Sequence, residues 1–362
     1  MATGTELMGS TSDEIQKQAE AERRSQEIQQ QGKLEPGENV AGYSVISNLS
    51  FSGGEAELYI CEKQGVRYAL KYFKTPPMDN NKSEDINAKL KNLRHPNIMS
   101  FIDYGTYKNL PFSIYQLAEG GVLNEKTESS AQNKKTESGA QNKKIEGDKF
   151  LPLSEEKAIE AVEEILEGLH TIHKIGIIHR DIKPENIFYT SACQDEKGQW
   201  IGSGILLGDF GISSLYDVEG NMTSKYTQTD FATEGYEGPE MYAVNLGTRE
   251  MRISPAIDYW ALGITLWVLL TGERPFVDEK GNKLPDGQVR KNAANNDTAK
   301  ILLSRSPKLS DKMKKLIRGL LVVRHKERWN YEKVKDHLAG KNVEVFQEPP
   351  RILPTFMVGN TK

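Results

Sequence analysis

The chain predicts an α+β protein in two lobes, a small antiparallel β-sheet lobe followed by a larger helical lobe. Short β-branched and aromatic runs separated by turn residues crowd the stretch from residue 40 to 118. After Gly120-Gly121 apolar residues recur instead at helical spacing. The 362 residues, 37% of them apolar, suffice for one large domain or two lobes plus tails.

Residues 1–39 form a polar tail rich in Gln, Glu and Ser. Asp13 to Gln31 lacks Pro and Gly and is full of helix formers, but has no continuous apolar stripe, so it reads as a solvated tail or frayed helix. Lys33 to Gly37 reads as the linker into the folded part. Strands are expected at Tyr43–Ile46, Glu57–Cys61 and Val66–Phe73, then a helix at Asp85–Leu93 with Ile86, Leu90 and Leu93 on one face. Two more strands follow near Ile98–Tyr104 and Phe112–Leu117. Ser154 is placed to cap a helix that opens with Glu155 and Glu156 and runs to about His173. Further helices are expected at Ile257–Leu270, Asp311–Val323 and Tyr331–Leu338. The expected domain boundaries are 40–118 for the sheet lobe, 119–340 for the helical lobe and 341–362 for a C-terminal tail.

A tandem repeat interrupts the helical half: Lys126 to Lys134 recurs as Lys135 to Lys143. It carries no apolar residue larger than Ala and cannot form a core. Residues 124–149 therefore read as a disordered surface insertion.

The net charge of −4 gives no reason to expect nucleic acid or an anionic membrane. No apolar run reaches the roughly 18 residues of a membrane span, and the N-terminus lacks a signal-peptide pattern. Cys61 and Cys193 lie far apart, and a reducing compartment is the simplest reading, with one disulfide still open. The expected location is cytoplasmic.

The chemistry is concentrated in His179-Arg-Asp181-Ile-Lys183-Pro-Glu-Asn186. Asp209-Phe210-Gly211 lies downstream, and Tyr68-Ala69-Leu70-Lys71 upstream. Farther on come Thr233-Glu-Gly-Tyr236-Glu-Gly-Pro239-Glu240, Asp258-Tyr-Trp260-Ala-Leu-Gly263, Thr271-Gly-Glu-Arg-Pro275-Phe276 and Arg328. In order and spacing this set resembles the eukaryotic-type protein kinase family over roughly residues 43 to 340. By that resemblance Ser191 to Gly204 is a second insertion, lengthening the hairpin between Asn186 and Asp209, where surface loops tolerate length.

The resemblance implies Asp181 as catalytic base and Lys183 as the cation that reaches the transferring phosphate. It implies Asn186 and Asp209 as magnesium ligands and Lys71 as the cation on the α- and β-phosphates of ATP. ATP would lie between the lobes against a hinge near Gln116, Leu117 and Ala118, with Tyr115 at the back. Ala69 and Phe188 would sandwich the adenine, Leu58 would cover it, and Gly53 and Gly54 would approach the phosphates. Asp258 would hold the backbone of the catalytic loop, and Arg328 would be the buried partner of Glu240. Lys183 and Thr233 match the serine/threonine class, so the implied partners are proteins with Ser/Thr acceptors; the oligomeric state is left open. Arg180 would pair with a phosphorylated activation loop, for which Thr229 is the candidate site and Thr223, Ser224, Tyr226 and Thr227 are rivals.

Two departures favour a second reading, a pseudokinase acting as a nucleotide-binding signalling scaffold. In the glycine-rich loop Phe51 and Ala56 occupy the outer glycine positions. Counting back from His95-Pro96-Asn97-Ile98, the helix position that should carry the glutamate partner of Lys71 holds Ile86. Glu84 and Asp85 precede it and point elsewhere on a helix that turns about 100° per residue. The complete set Lys71, Asp181, Lys183, Asn186 and Asp209 favours the active enzyme.

Overall fold

The computed structural model describes residues 33–49, 56–75, 80–123, 152–194, 200–211, 213–215, 233, 235–241, 254–278, 282, 284–285, 288–289, 298–306 and 308–347. The tail helix, the repeat, Gly53, Gly54 and Thr229 lie outside these residues. The chain divides into two compact units. One takes the residues up to Arg94 together with Met99–Ala118, the other His95–Ile98 and the residues from Glu119 on.

The first unit is a six-stranded antiparallel sheet in the order β1-β2-β3-β4-β6-β5. Its strands are β1 (Asn39–Val40), β2 (Tyr43–Leu49), β3 (Ala56–Lys63), β4 (Val66–Phe73), β5 (Phe101–Tyr107) and β6 (Leu110–Gln116). Alternation separates the two faces of the central strands. Tyr59, Cys61, Leu70, Tyr72, Phe112 and Ile114 fill one continuous core, while Leu58, Ala69 and Lys71 take the alternate positions. Burial pushes the Cys61 thiol up to about 11. Helix α1 (Asn80–Lys91) buries Ile86 and Leu90 and exposes Glu84 and Asp85. Lys91 Nζ ties it to Asp103 of β5 at 2.8 Å.

Lys33 to Gly37 is no linker. Leu34 is buried in the sheet core, its amide donates to the Tyr59 hydroxyl at 2.9 Å, and the Gly37 amide donates to the Val45 carbonyl. The apolar Leu34 side chain draws this segment onto the sheet.

The second unit is built on α2 (Glu155–Lys174) and α3 (Ala256–Thr271). Ser154 caps α2, its hydroxyl accepting from the Lys157 amide. Every α3 residue from Ile257 to Leu270 is buried, which makes it the central helix of the unit. Around it stand β7 (Ile177–Ile178), β8 (Ile187–Gln194), β9 (Trp200–Leu207), β10 (Ser214–Leu215), α4 (Thr298–Ser304), α5 (Asp311–Leu320) and α6 (Tyr331–Leu338). Among the described residues no helix is long and apolar enough to cross a membrane.

Three boundaries differ from the sequence expectation for identifiable reasons. The strand expected from Ile98 begins at Phe101, because Ile98 instead bridges Leu207 of β9 and the Asn97 carbonyl accepts from the Leu207 amide. The helix expected to reach Val323 stops at Leu320; Arg328 takes the carbonyls of Val322 and Val323. The Ser191–Gly204 insertion is mostly strand: β8 and β9 stay paired out to Gln194 and Trp200.

Helix α5 packs tightly against the segment that leads into α6. A Cβ on Gly319 would lie 2.1 Å from Cδ2 of Trp329, a fully buried ring whose Nε1 donates to the Glu344 carbonyl. Gly319→Ala should therefore cost about 1–3 kcal/mol of stability. Urea denaturation checks this, and an unchanged midpoint would refute the packing argument.

Candidate active site

The site in the second unit starts from a buried carboxylate. Asp258, in the first turn of α3, has no exposed surface. Its Oδ2 accepts from the His179 amide and meets His173 Nε2, and its Oδ1 accepts from the Arg180 amide, all at 2.8 Å. Burial works against its ionisation, but the hydrogen bonds of His173 and of the Arg180 amide, with the two neighbouring imidazoles, outweigh it. The carboxyl is held below its ordinary range. The expectation that this aspartate holds the loop backbone is met.

His179 carries the loop onward. Its Nδ1 accepts from the Asp181 amide at 3.3 Å and its Nε2 lies 2.9 Å from the Gly208 carbonyl. Those partners define a neutral ring with the proton on Nε2. Burial lowers its pKa, against the opposing charges of Asp258 and Asp181. One imidazole thus links the loop of Asp181 to the residue before Asp209. The Gly208 amide returns a bond to the Asn186 carbonyl at 3.0 Å.

At Asp181 the expected residues converge. Lys183 Nζ donates to Oδ2 at 2.8 Å, and Asn186 Nδ2 donates to Oδ2 at 2.7 Å and to the Asp181 carbonyl at 2.8 Å. The Thr233 hydroxyl donates to Oδ1 at 2.7 Å and accepts from Lys183 Nζ. An ionised carboxylate offers about four lone-pair sites. Lys183, Asn186 and Thr233 use three of them and leave one on Oδ1.

Asn186 spends its amide nitrogen on Asp181, which leaves its carbonyl oxygen as the atom available to a hard cation. Asp209 supplies a carboxylate; its Oδ1 accepts from the Gly211 amide at 3.2 Å. This donor set fits magnesium, which takes one or two protein oxygens and completes its shell with water and phosphate. Among the described residues no group of three or more His, Cys, Asp or Glu side chains forms a metal cage.

The segment carrying Thr233 is fastened again at Glu240. Arg328 meets that carboxylate with both terminal nitrogens, Nη1 to Oε1 at 2.7 Å and Nη2 to Oε2 at 2.9 Å. This is the forked pairing expected for Glu240 and Arg328. Between the two anchors the Tyr236 hydroxyl is pushed well above its usual range by burial and by the charges of Glu185 and Asp181.

The remaining expected residues that the structure describes occupy the first unit, apart from Phe188. Leu58 sits directly across from Lys71, Ala69 across from Tyr115, and Gln116 across from Tyr68. Leu58, Ala69 and Lys71 therefore share one face of the sheet. Lys71 Nζ stands 5.4 Å from the Phe73 ring centroid. Ala118 follows β6, partly buried. Phe188, in the second unit, bridges Val122. Sequence reasoning missed His173 and the bridging role of His179. Their partners lie far along the chain, and a lone histidine carries no local signal.

A family model described as protein kinase domain matches residues 52–338. Human calcium/calmodulin-dependent protein kinase type IV is 29% identical over 243 residues, covering 67% of this chain and 43% of that protein. The rat protein of the same name is 30% identical, with the same coverage. Calcium/calmodulin-dependent protein kinase type 1 of Macrobrachium nipponense is 28% identical over 195 residues, 54% of this chain and 45% of that protein. The chain spans less than half the length of these curated relatives. Among solved structures, the crystal structure of Rad53 1-466 in complex with AMP-PNP is similar, with a TM-score of 0.57 and 21% identity over 82% of this chain and 64% of that one. That likeness supports the fold class expected from the sequence.

His179 makes stability pH-dependent. Its folded pKa is depressed below the ordinary 6.5, so the unfolded chain takes up the proton first as pH falls. The contribution is complete above pH 6.5 and declines as pH drops toward the folded value. One such group changes stability by up to about 1.4 kcal/mol per pH unit. His179→Gln, which keeps a donor and an acceptor, should flatten the fall in melting temperature between about pH 7 and 5.5. An identical slope in the variant would exclude His179 as the cause.

Proposed function

Because the chain belongs to the protein kinase domain family, we propose that it is a serine/threonine protein kinase, transferring the γ-phosphate of ATP to Ser or Thr hydroxyls of protein substrates. The observation that carries this reading is the cluster of Lys183, Asn186 and Thr233 on the Asp181 carboxylate. Three donors fix the orientation of the Asp181 carboxylate, and one acceptor site on Oδ1 remains. A substrate hydroxyl donating there would be aligned for attack and would lose its proton to Asp181 as the new P–O bond forms. Lys183, held at 2.8 Å from the same carboxylate, would reach the transferring phosphate and offset its charge.

Magnesium, when bound, neutralises charge on the phosphates; Asn186 and Asp209 are the residues that would hold it. In the sheet unit, Lys71 would take the α- and β-phosphates, with Gly53 and Gly54 contributing backbone amides. Leu58, Ala69, Gln116 and Ala118, together with Phe188, would contact the adenine. The partly buried common face of Leu58, Ala69 and Lys71 supports that assignment. The expected substrates are proteins, and the cytoplasm remains the expected location.

A scaffold that binds nucleotide without transferring phosphate is favoured by the altered glycine-rich loop and by Ile86, which is buried at the α1 position where a carboxylate would pair with Lys71. The intact Asp181 cluster outweighs them, since a scaffold has no need of an oriented base.

With magnesium-ATP and a mixed peptide panel, the full chain should phosphorylate serine and threonine peptides and leave tyrosine peptides unmodified. Asp181→Asn should lower kcat by about 100-fold or more, with nucleotide affinity retained. Nucleotide binding without transfer by the parent chain would establish the scaffold instead.

A further inference from the structure

Arg305 lies just beyond α4, and its guanidinium makes three hydrogen bonds to one turn. Nη1 donates to the Pro275 carbonyl at 2.7 Å; Nη2 donates to the Arg274 carbonyl at 3.0 Å and to Glu273 Oε2 at 2.7 Å. The guanidinium stands 4.7 Å from the ring centroid of Trp267, a fully buried residue of α3 whose Nε1 donates to the Leu302 carbonyl. A planar fork with one face on an indole and its edge on two neighbouring carbonyls fixes a turn in a way that an ammonium point charge does not.

The turn so fixed lies beside the acceptor segment. A Cβ on Gly235 would meet Phe276 at 3.6 Å and Pro275 at 3.8 Å, so the turn is in packing range of that glycine. Gly235 adopts φ +91°, a conformation that side chains resist, so the chain reverses there. The Tyr236 amide closes the reversal by donating to the Thr233 carbonyl at 3.1 Å. Thr233 in turn meets Asp181 and Lys183.

Building on the kinase reading, we propose that Arg305 is a positioning residue for the transfer step: it locks the turn Glu273–Phe276, which supports Gly235–Tyr236 and so presents the Thr233 hydroxyl to Asp181. Arg305 touches neither substrate nor Asp181, and its effect runs entirely through Thr233. A purely structural guanidinium would lower stability without altering the chemical step.

Arg305→Gln in the full chain tests this, with Arg305→Lys as the conservative variant. The Gln variant should keep its cooperative unfolding and its KM for ATP while kcat on a serine peptide falls about tenfold, the effect of one misaligned charge-assisted bond. Arg305→Lys should recover part of that loss. In a Thr233→Val background, Arg305→Gln should add less than about a twofold further loss, because both changes act on one element. Hydrogen exchange supplies a readout free of activity: amides of residues 235–241 should exchange faster in Arg305→Gln than in the parent chain. Wild-type kcat in Arg305→Gln, or losses that multiply with Thr233→Val, would overturn the proposal. Should the parent chain transfer no phosphate at all, the kinase reading fails; unchanged exchange at 235–241 would then overturn the Arg305 link separately.

Discussion

The carboxylate of Asp258 is the constraint on which the second unit of the protein depends. Removing an anion from water costs several kcal/mol unless its lone pairs are met. Here two backbone amides and an imidazole meet them, and the first turn of α3 adds the positive end of a helix dipole. The requirement acts in both directions. The anion is tolerable only if the His179 and Arg180 amides point at it, and those amides cannot move without exposing a bare buried charge. Since α3 is buried along its length, the acceptor is fixed, and Asp181, one residue beyond Arg180, inherits its placement.

The residues that determine this arrangement differ in how plainly they could be read from sequence. Val66–Phe73 and Tyr331–Leu338 match their expected bounds, because local pattern and turn residues define them. Asp181, Lys183 and Asn186 were legible because their contacts fall within six residues. Thr233 and Arg328 were legible only through the family resemblance; their partners are distant, and no local rule pairs them. Leu34 was misread because one apolar residue among turn formers gives no periodicity, yet a single leucine in the sheet core suffices to bring the segment in. Helix α4 was missed for a related reason: with seven residues it is too short for helical spacing to stand out.

The Ser191–Gly204 insertion illustrates the same limit from the opposite side. The family resemblance identified it as extra length but could not say what that length does. The strands continue past Tyr189 in register, and each added residue pair satisfies its backbone groups across the ladder. The base of this hairpin is held from its flank: Glu164 Oε2 accepts from the Ile205 amide, and Asn97 Nδ2 donates to the Ile205 carbonyl. Two side chains thus occupy the strand edge that leads to Asp209. Length added at the far end leaves the register at Leu207, and hence Asp209, undisturbed.

Strain is concentrated where the chemistry is proposed. Arg180 and Asp209 flank the reacting groups in sequence, and both hold left-handed backbone, at φ +73° and +56°, without being glycine. Such conformations cost of order 1–3 kcal/mol each. At Arg180 the compensation is the amide bond to Asp258, a charge-assisted contact contributing about 1.5–3 kcal/mol. At Asp209 the side chain accepts from the Gly211 amide, and the preceding Gly208 is held at both its amide and its carbonyl. A glycine would relieve the strain at either position. It would also remove the side chain and free the backbone to sample both hands. The turn at Arg180 aims the next residue, Asp181, while the one at Asp209 aims its own carboxylate. Holding a side-chain-bearing residue in a costly conformation is how the fold fixes these directions before any substrate arrives.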